Sequence, residues 1–412
     1  MSEYAIKTEY GRLESVRLHT PGIELLSGGL DPTVNLFLDN LPPEQARREH
    51  QTIVTALEEY GVDVHQLADD LARAGVLDSM VREAVTVEDE RGEHDEAGLD
   101  RVIDLFEPWE KLGLVLGRVT LTTHDISGSD RTRWGRTAES PVSSVRLERP
   151  ISNMYYQCDT TIVGDKGPIL CNMFEAVRQP EVPYVRAAWE GIGADIVHQV
   201  EHEPIEGGEF IPAGNFALLG VSAEIDGEEE LIRTSYAAGE QLLEEGAFGY
   251  DEVGLVRAPL AIDRQLATEH DTFERTMHLL GWANIPAEGL AVVYERLAER
   301  ASVDVYRRGG DGYRKDRSVP FLAYLDEKGY DTVAATWDER WPANFLTLDD
   351  GVIMPVYEPS EDSEYDPTDN PTIEALKDHG VEIVPDGTGL APESLIRGAG
   401  GIRCMSMPMC RS

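Results

Sequence analysis

The run Gly400-Gly401-Ile402-Arg403-Cys404-Met405-Ser406-Met407-Pro408 decides how this chain is read. A cysteine between a glycine pair and a proline is poorly placed as core filling. Glycine lets the backbone take positive φ and approach a ligand closely. The adjacent Arg403 can favour the thiolate over the thiol. A thiolate is the strongest nucleophile a side chain offers near neutral pH. The bland alternative is a C-terminal turn with an incidental thiol. Both readings stay open until other residues are brought beside this one.

Composition narrows the setting. The chain has 412 residues and a formal net charge of −41, from 77 acidic and 36 basic side chains. Such an excess of carboxylates opposes binding to nucleic acid and to anionic membranes. The charge is spread along the chain rather than gathered in a tail, which predicts adaptation to a cytoplasm with molar salt, as in a halophile, over a patch for a basic partner. Cys158, Cys171, Cys404 and Cys410 form no CxxC pair, so a zinc or thioredoxin-type site is not expected. The first ten residues lack the basic and apolar parts of a signal peptide. No run approaches the roughly 18 apolar residues of a membrane span. The expectation is a soluble, cytoplasmic, thiol-reduced protein.

Working back from the C-terminal run, the chain shows a repeated rhythm. Leu13 to His19 alternates apolar and polar residues and stops at Pro21-Gly22, as a strand would. Pro42 to Tyr60 spaces Ala46, Ile53, Val54 and Leu57 for a helix, ended by Gly61, and Val62 to Leu67 reads as the next strand. From about Ala68 to Leu147 the chain is rich in Glu and Arg. Helices are expected over Ala68–Val85, Ala97–Phe106 and Glu107–Leu116, with a polar loop over Thr122–Glu139. After Pro150 short apolar runs return: Thr161–Val163, Phe216–Val221, Leu290–Tyr294, Phe345–Leu348 and Gly351–Tyr357. An acidic loop (Glu358 to Asn370), a helix (Thr372 to Asp378) and a strand (Val381 to Val384) follow. Strand-strand-helix-strand repetition predicts an α/β fold of several similar units, with a mostly helical insertion at 68–148.

Four further runs could carry chemistry. Asn153-Met154-Tyr155-Tyr156-Gln157-Cys158-Asp159 ends in a carboxylate before a strand, where an ordinary turn cap is the bland reading. Glu206-Gly207-Gly208-Glu209 presents a glutamate with little steric cover, or is a plain acidic turn. His278 sits between Met277 and Leu279, where a satisfied core histidine is common. Arg178 and Arg233 fall near expected strand ends, where arginines are usually just solvated. Together these supply Cys, His, Asp and Glu, the groups needed for nucleophilic attack on a cationic carbon.

In order and spacing these runs resemble the arginine deiminases, within the larger group of guanidino-modifying enzymes. Asn35-Leu36-Phe37-Leu38-Asp39-Asn40 with Glu49-His50 resembles that family's N-terminal acidic segment and Glu-His pair. Asn153 to Asp159 stands where the family has Asn-x-x-Phe-Thr-Arg-Asp. Val177-Arg178-Gln179, Glu206-Gly207-Gly208, Arg233-Thr234 and Met277-His278-Leu279 resemble further family elements. Cys404-Met405-Ser406-Met407-Pro408 matches its terminal run, the most specific of these likenesses. The resemblance implies a five-bladed α/β propeller (pentein-like), formed by residues 1–67 and 149–412. It implies that Cys404 attacks the guanidinium carbon and gives a thiouronium intermediate on the way to citrulline. His278 would move protons, Glu206 would orient His278 and touch the guanidinium, and Asp159 would bind its nitrogens. Asn153, Arg178 and Arg233 would hold the amino-acid end of L-arginine. No metal or organic cofactor is implied, and a homo-oligomer is allowed.

Three positions depart from the family pattern. Leu280 stands where a second guanidinium-binding aspartate is expected, Cys158 where the arginine of Phe-Thr-Arg-Asp stands, and Ala399 where an arginine linked to closing the site is common, with Arg397 two residues earlier. Losing a buried carboxylate that faces a cation removes several kcal/mol of transition-state stabilisation, about a thousandfold in rate per ~4 kcal/mol. Leu280 therefore keeps open a hydrolase or amidinotransferase acting on a different or N-substituted guanidine. A non-catalytic guanidine-binding protein is a third reading.

Overall fold

The computed structural model describes residues 3–123, 142–310, 312–337, 339, 341–356, 370–387, 389–390, 392 and 394–412. Most of the expected loop over Thr122–Glu139, and the acidic loop up to Asn370, lie outside the described residues.

One strand pattern recurs five times. Thr161–Gly164 and Gly167–Leu170 form an antiparallel hairpin, and Gly167–Leu170 pairs in parallel with His198–Gln199 after the helix Val182–Gly191. Phe210–Ala213, Phe216–Val221 and Glu252–Arg257 repeat this around the helix Tyr236–Glu244. Ala283–Ala287, Leu290–Tyr294 and Asp331–Ala335 follow suit, and their long crossover lends Ser302–Gly309 and Gly312–Pro320 to the preceding sheet. Leu346–Asp349, Val352–Met354 and Glu382–Ile383 do so around the helix Pro371–Asp378. The fifth unit joins the chain ends. Met407–Arg411 pairs antiparallel with Leu13–Leu18, which pairs in parallel with Asp63–Gln66 after the helix Pro43–Tyr60. Each parallel pair needs a crossover, and a helix supplies it by burying one apolar stripe. In Pro43–Tyr60 that stripe is Ala46, Ile53, Val54 and Leu57, with His50 buried beside it, and Gly61 at φ 94 ends the helix in the left-handed cap that glycine tolerates best.

The 68–148 stretch departs from its expectation. The single helix expected over Ala68–Val85 is two, Leu67–Arg73 and Leu77–Ala84, broken where Gly75 takes φ 72. The stretch also holds a sheet of Thr86–Glu88, Val119–Thr123 and Val142–Leu147 beside the helices Glu96–Leu105 and Pro108–Gly117. Its apolar residues, among them Leu71, Val81, Leu112 and Val115, share one core with Ile151, Met154, Trp189 and Met409. Among the described residues, no helix is long and apolar enough to cross a membrane.

Candidate active site

Four residues singled out in the sequence sit in equivalent places, in the short turn that leads into the first strand of a unit. Asp159 lies in the turn before Thr161–Gly164, and Glu206 opens the turn before Phe210–Ala213. His278 opens the turn before Ala283–Ala287, and Cys404 lies in the turn before Met407–Arg411. All four are buried. A small cavity of about 20 Å³ is lined by Asp159, His278 and Cys404 together with Asn153, Arg178 and Arg233, and by Leu36, Tyr156, Met277, Gly398 and Ala399. Room of that size admits about one water. A wider cleft outside it shares Arg233, Met277 and Ala399 and is walled by Phe273 and Trp341.

His278 is held from two sides. Its Nε2 hydrogen-bonds Glu206 Oε2 at 2.8 Å, and its Nδ1 faces Asp159 Oδ1 at 3.7 Å. One polar atom from each of Asp159, Glu206 and His278 lies within 4.8 Å of the other two. Burial opposes charge on His278, but the Asp159 carboxylate and hydrogen bonds with Cys404 and Glu206 override it and raise its pKa well above the usual value. Burial likewise opposes charge on Glu206, and the bond from His278 with the nearby Arg233 guanidinium outweighs it, bringing the carboxylate down to about 2. The pair is therefore imidazolium and carboxylate. Gly208 makes this packing feasible. A Cβ there would lie 2.7 Å from the His278 ring and 2.8 Å from Asp159 Oδ1.

The arginines are placed differently from one another. Arg178 donates from Nη1 to Asp159 Oδ2 at 2.6 Å and grips Glu181 through Nε and Nη2, each at 2.9 Å. It is thus bound to the carboxylate expected to receive substrate. Arg233 lies 3.8 Å from both Glu175 and Glu206, and its buried Nη1 has no hydrogen-bond partner. Asn153 lines the cavity while its amide donates to the Asn35 carbonyl at 2.8 Å.

Two expectations about the Cys404 run are corrected. Arg403 does not turn towards the Cys404 sulfur. It pairs with Glu9 at 2.6 Å and donates to the Cys158 sulfur at 3.1 Å, because the end of the chain closes onto its beginning. Neither Gly400 nor Gly401 has positive φ; the left-handed residue is Ala399, at φ 81. Asn344 Nδ2 donates to Cys404 Sγ at 3.1 Å; in the sequence, a neutral amide in Ala343-Asn344-Phe345 carries no motif. Glu209 likewise carries no motif signal of its own. Its Oε2 accepts the Leu279 N–H at 2.6 Å and fixes the turn after His278, and burial pushes its carboxyl up to about 7.

The three departures have distinct surroundings. Leu280 is fully buried in a core cluster with Cys158, Leu279 and Trp282, and does not line the cavity. Burial drives the Cys158 thiol upward, so it stays neutral beside Arg403. Arg397 faces outward near Asp39, 3.8 Å away.

The sequence model of the arginine deiminase family matches residues 35–411. The arginine deiminase of Halobacterium salinarum is 34% identical, over 98% of this chain and 96% of that protein. That of Streptococcus pneumoniae is 25% identical over 100% and 99%. Among solved structures, an amidinotransferase of the saxitoxin biosynthetic pathway from Microseira wollei aligns with a TM-score of 0.51 at 14% identity, over 99% of this chain and 97% of that one. A DDAH from Pseudomonas aeruginosa complexed with citrulline aligns at 0.51 and 12%, over 96% and 99%. These two likenesses speak to the fold, an α/β arrangement of mixed sheets and helices. With a family match spanning nearly its whole length, and a relative as similar as the Halobacterium protein, this chain belongs to the arginine deiminase family.

Proposed function

We propose that the chain hydrolyses L-arginine to L-citrulline and ammonia through a covalent intermediate on Cys404. One observation carries this reading: Cys404, His278 and Asp159 meet on a single buried cavity, with Glu206 bonded to His278 from behind. Carboxylates in a water-poor site bind a guanidinium and hold its carbon for attack. The Cys404 sulfur bonds to that carbon. Protonated His278 gives its proton to the leaving nitrogen, the C–N bond breaks, and ammonia departs, leaving the thiouronium. Neutral His278 then takes a proton from water, whose oxygen bonds to the carbon. The C–S bond breaks and citrulline is released. Arg233, Asn153 and Arg178 receive the amino-acid end. For this the incoming guanidinium displaces Arg178 from Asp159, and the closed cavity widens toward the outer cleft.

We further infer that the five units stand around this site as the blades of a five-bladed propeller, formed by residues 1–67 and 149–412 and interrupted by the insertion at 68–148. The support is that four units deliver a site residue from the same turn. The charge of −41 and the Halobacterium relative favour work in a cytoplasm of molar salt. A different or N-substituted guanidine draws only on Leu280, whose side chain packs into the core. Leu280→Asp raises arginine turnover if the missing carboxylate limits this enzyme, and abolishes turnover of an N-substituted guanidine if the leucine is there for fit.

The test of the main reading is ureido colorimetry with L-arginine in about 3 M KCl, where surface charge is screened, beside Cys404→Ala. Citrulline that vanishes in the variant supports it. A folded wild-type protein that makes no citrulline from L-arginine overturns it.

A further inference from the structure

Four of the five units contribute a residue to the site from the turn before their first strand. The remaining unit, which begins with Leu346–Asp349, has Asn344 in that place. We propose that Asn344 is this unit's contribution: a positioning residue that donates a hydrogen bond to the Cys404 sulfur and ties it to the turn carrying His278. This rests on the reading of Cys404 as the nucleophile.

The Asn344 side chain is fully buried and every polar atom in it has a partner. Its Oδ1 accepts the Cys404 backbone N–H at 3.2 Å, which only the oxygen can do. Its Nδ2 donates to the Leu280 carbonyl at 3.0 Å, which only the nitrogen can do. These two bonds forbid the flipped amide, so the atom 3.1 Å from Cys404 Sγ is an N–H donor. A fixed N–H donor at that distance holds the sulfur, an acceptor, in one place. Leu280 lies two residues beyond His278, so one amide group sets the sulfur against the histidine turn. Gly401 is part of the arrangement. A Cβ there would stand 2.8 Å from Asn344 Oδ1 and 2.9 Å from its carbonyl oxygen. The neighbouring cation Arg403 does not take this role, since it is committed to Glu9.

The test is alkylation of Cys404 by iodoacetamide in the full-length protein at high salt, read by mass spectrometry of its peptide across a pH series. Asn344→Leu should alkylate about tenfold more slowly at neutral pH. An unchanged profile in a folded Asn344→Leu protein overturns the proposal. Asn344→Ser and Asn344→Asp decide the matter if the leucine variant unfolds. Aspartate keeps the shape but loses the donor, whereas serine keeps a donor and loses the shape. Faster alkylation in serine than in aspartate is expected; the reverse order, or equal rates, would show a purely structural role. In arginine turnover the aspartate variant should lose kcat with little change in KM. Alkylation needs no arginine chemistry, so a wild-type protein without citrulline formation would sink the substrate reading and leave this one to be judged by the serine and aspartate profiles.

Discussion

Charge is organised in opposite ways inside and outside this molecule. Inside, Arg17 meets Asp70 at 2.8 Å, Arg178 meets Asp159 at 2.6 Å and Arg403 meets Glu9 at 2.6 Å, all buried. Outside, acidic residues outnumber basic ones so heavily that the chain carries −41. The buried pairs act at contact distance, where salt screens little. The surface acts collectively, through repulsion that salt relieves. Site chemistry and salt dependence should therefore be separable.

The largest effect is expected at the site. His278→Ala should cut citrulline turnover by about 10²- to 10⁴-fold, the range of a positioned general acid and base. That factor should be the same in high and moderate salt wherever the fold persists. A deficit that shrinks as salt is raised would mean that the surface reaches the chemistry, and the separation would fail. Next comes Arg403→Met, which leaves Glu9 buried with Arg411 at 3.6 Å as its nearest remaining cation. Removing one partner of a buried pair costs about 3–5 kcal/mol, to be read from the denaturant midpoint at fixed salt. A loss under about 1 kcal/mol, the range of exposed pairs, would show that this pair behaves like a surface one.

A pH series sharpens the same contrast. Glu206 lies below its ordinary range at about 2, so its share of stability is complete above the unfolded value near 4.5 and is lost as pH falls towards 2. His278 lies above its ordinary range, so its share is complete below about 6.5 and is lost as pH rises through its folded value. The stability gap between wild type and Glu206→Gln should therefore be widest between about pH 4.5 and 6.5 and narrow on both sides. A gap constant from acid to base, in urea midpoints at one salt concentration, would remove the ion pair from the account.

The sequence was most legible where a signal is local. The helix at Pro43–Tyr60 announced itself by spacing and by Gly61, and the hairpins by short apolar runs around glycine turns. The residues gathered at the cavity were legible as motifs: a cysteine, a histidine and carboxylates in family order. What escaped was set by distance along the chain. Arg403 looked like the cation for Cys404 because they are adjacent, yet its partner Glu9 is 394 residues away, delivered by the sheet that joins the chain ends. Asn344 escaped because an amide has no reactivity of its own; its meaning comes from the turn it occupies and the sulfur it faces. The sheet in the 68–148 stretch escaped because Thr86–Glu88 is three residues long, too short for a periodic signal.

The smallest expected effect tests the outside alone. Lys377 and Glu374 form a 2.9 Å pair one helical turn apart on Pro371–Asp378, both well exposed. Lys377→Gln removes that contact and one positive charge, so the net negative charge grows by one. The contact itself is worth about 0.2–0.5 kcal/mol. In molar salt the melting temperature should hardly move. As salt is lowered, the variant should lose stability slightly faster than wild type, because each remaining carboxylate feels the whole field rather than one neighbour. If wild type itself keeps its full circular dichroism signal and melting temperature without salt, the collective account of the surface is wrong. The −41 would then need an explanation in specific contacts, as the buried charges do.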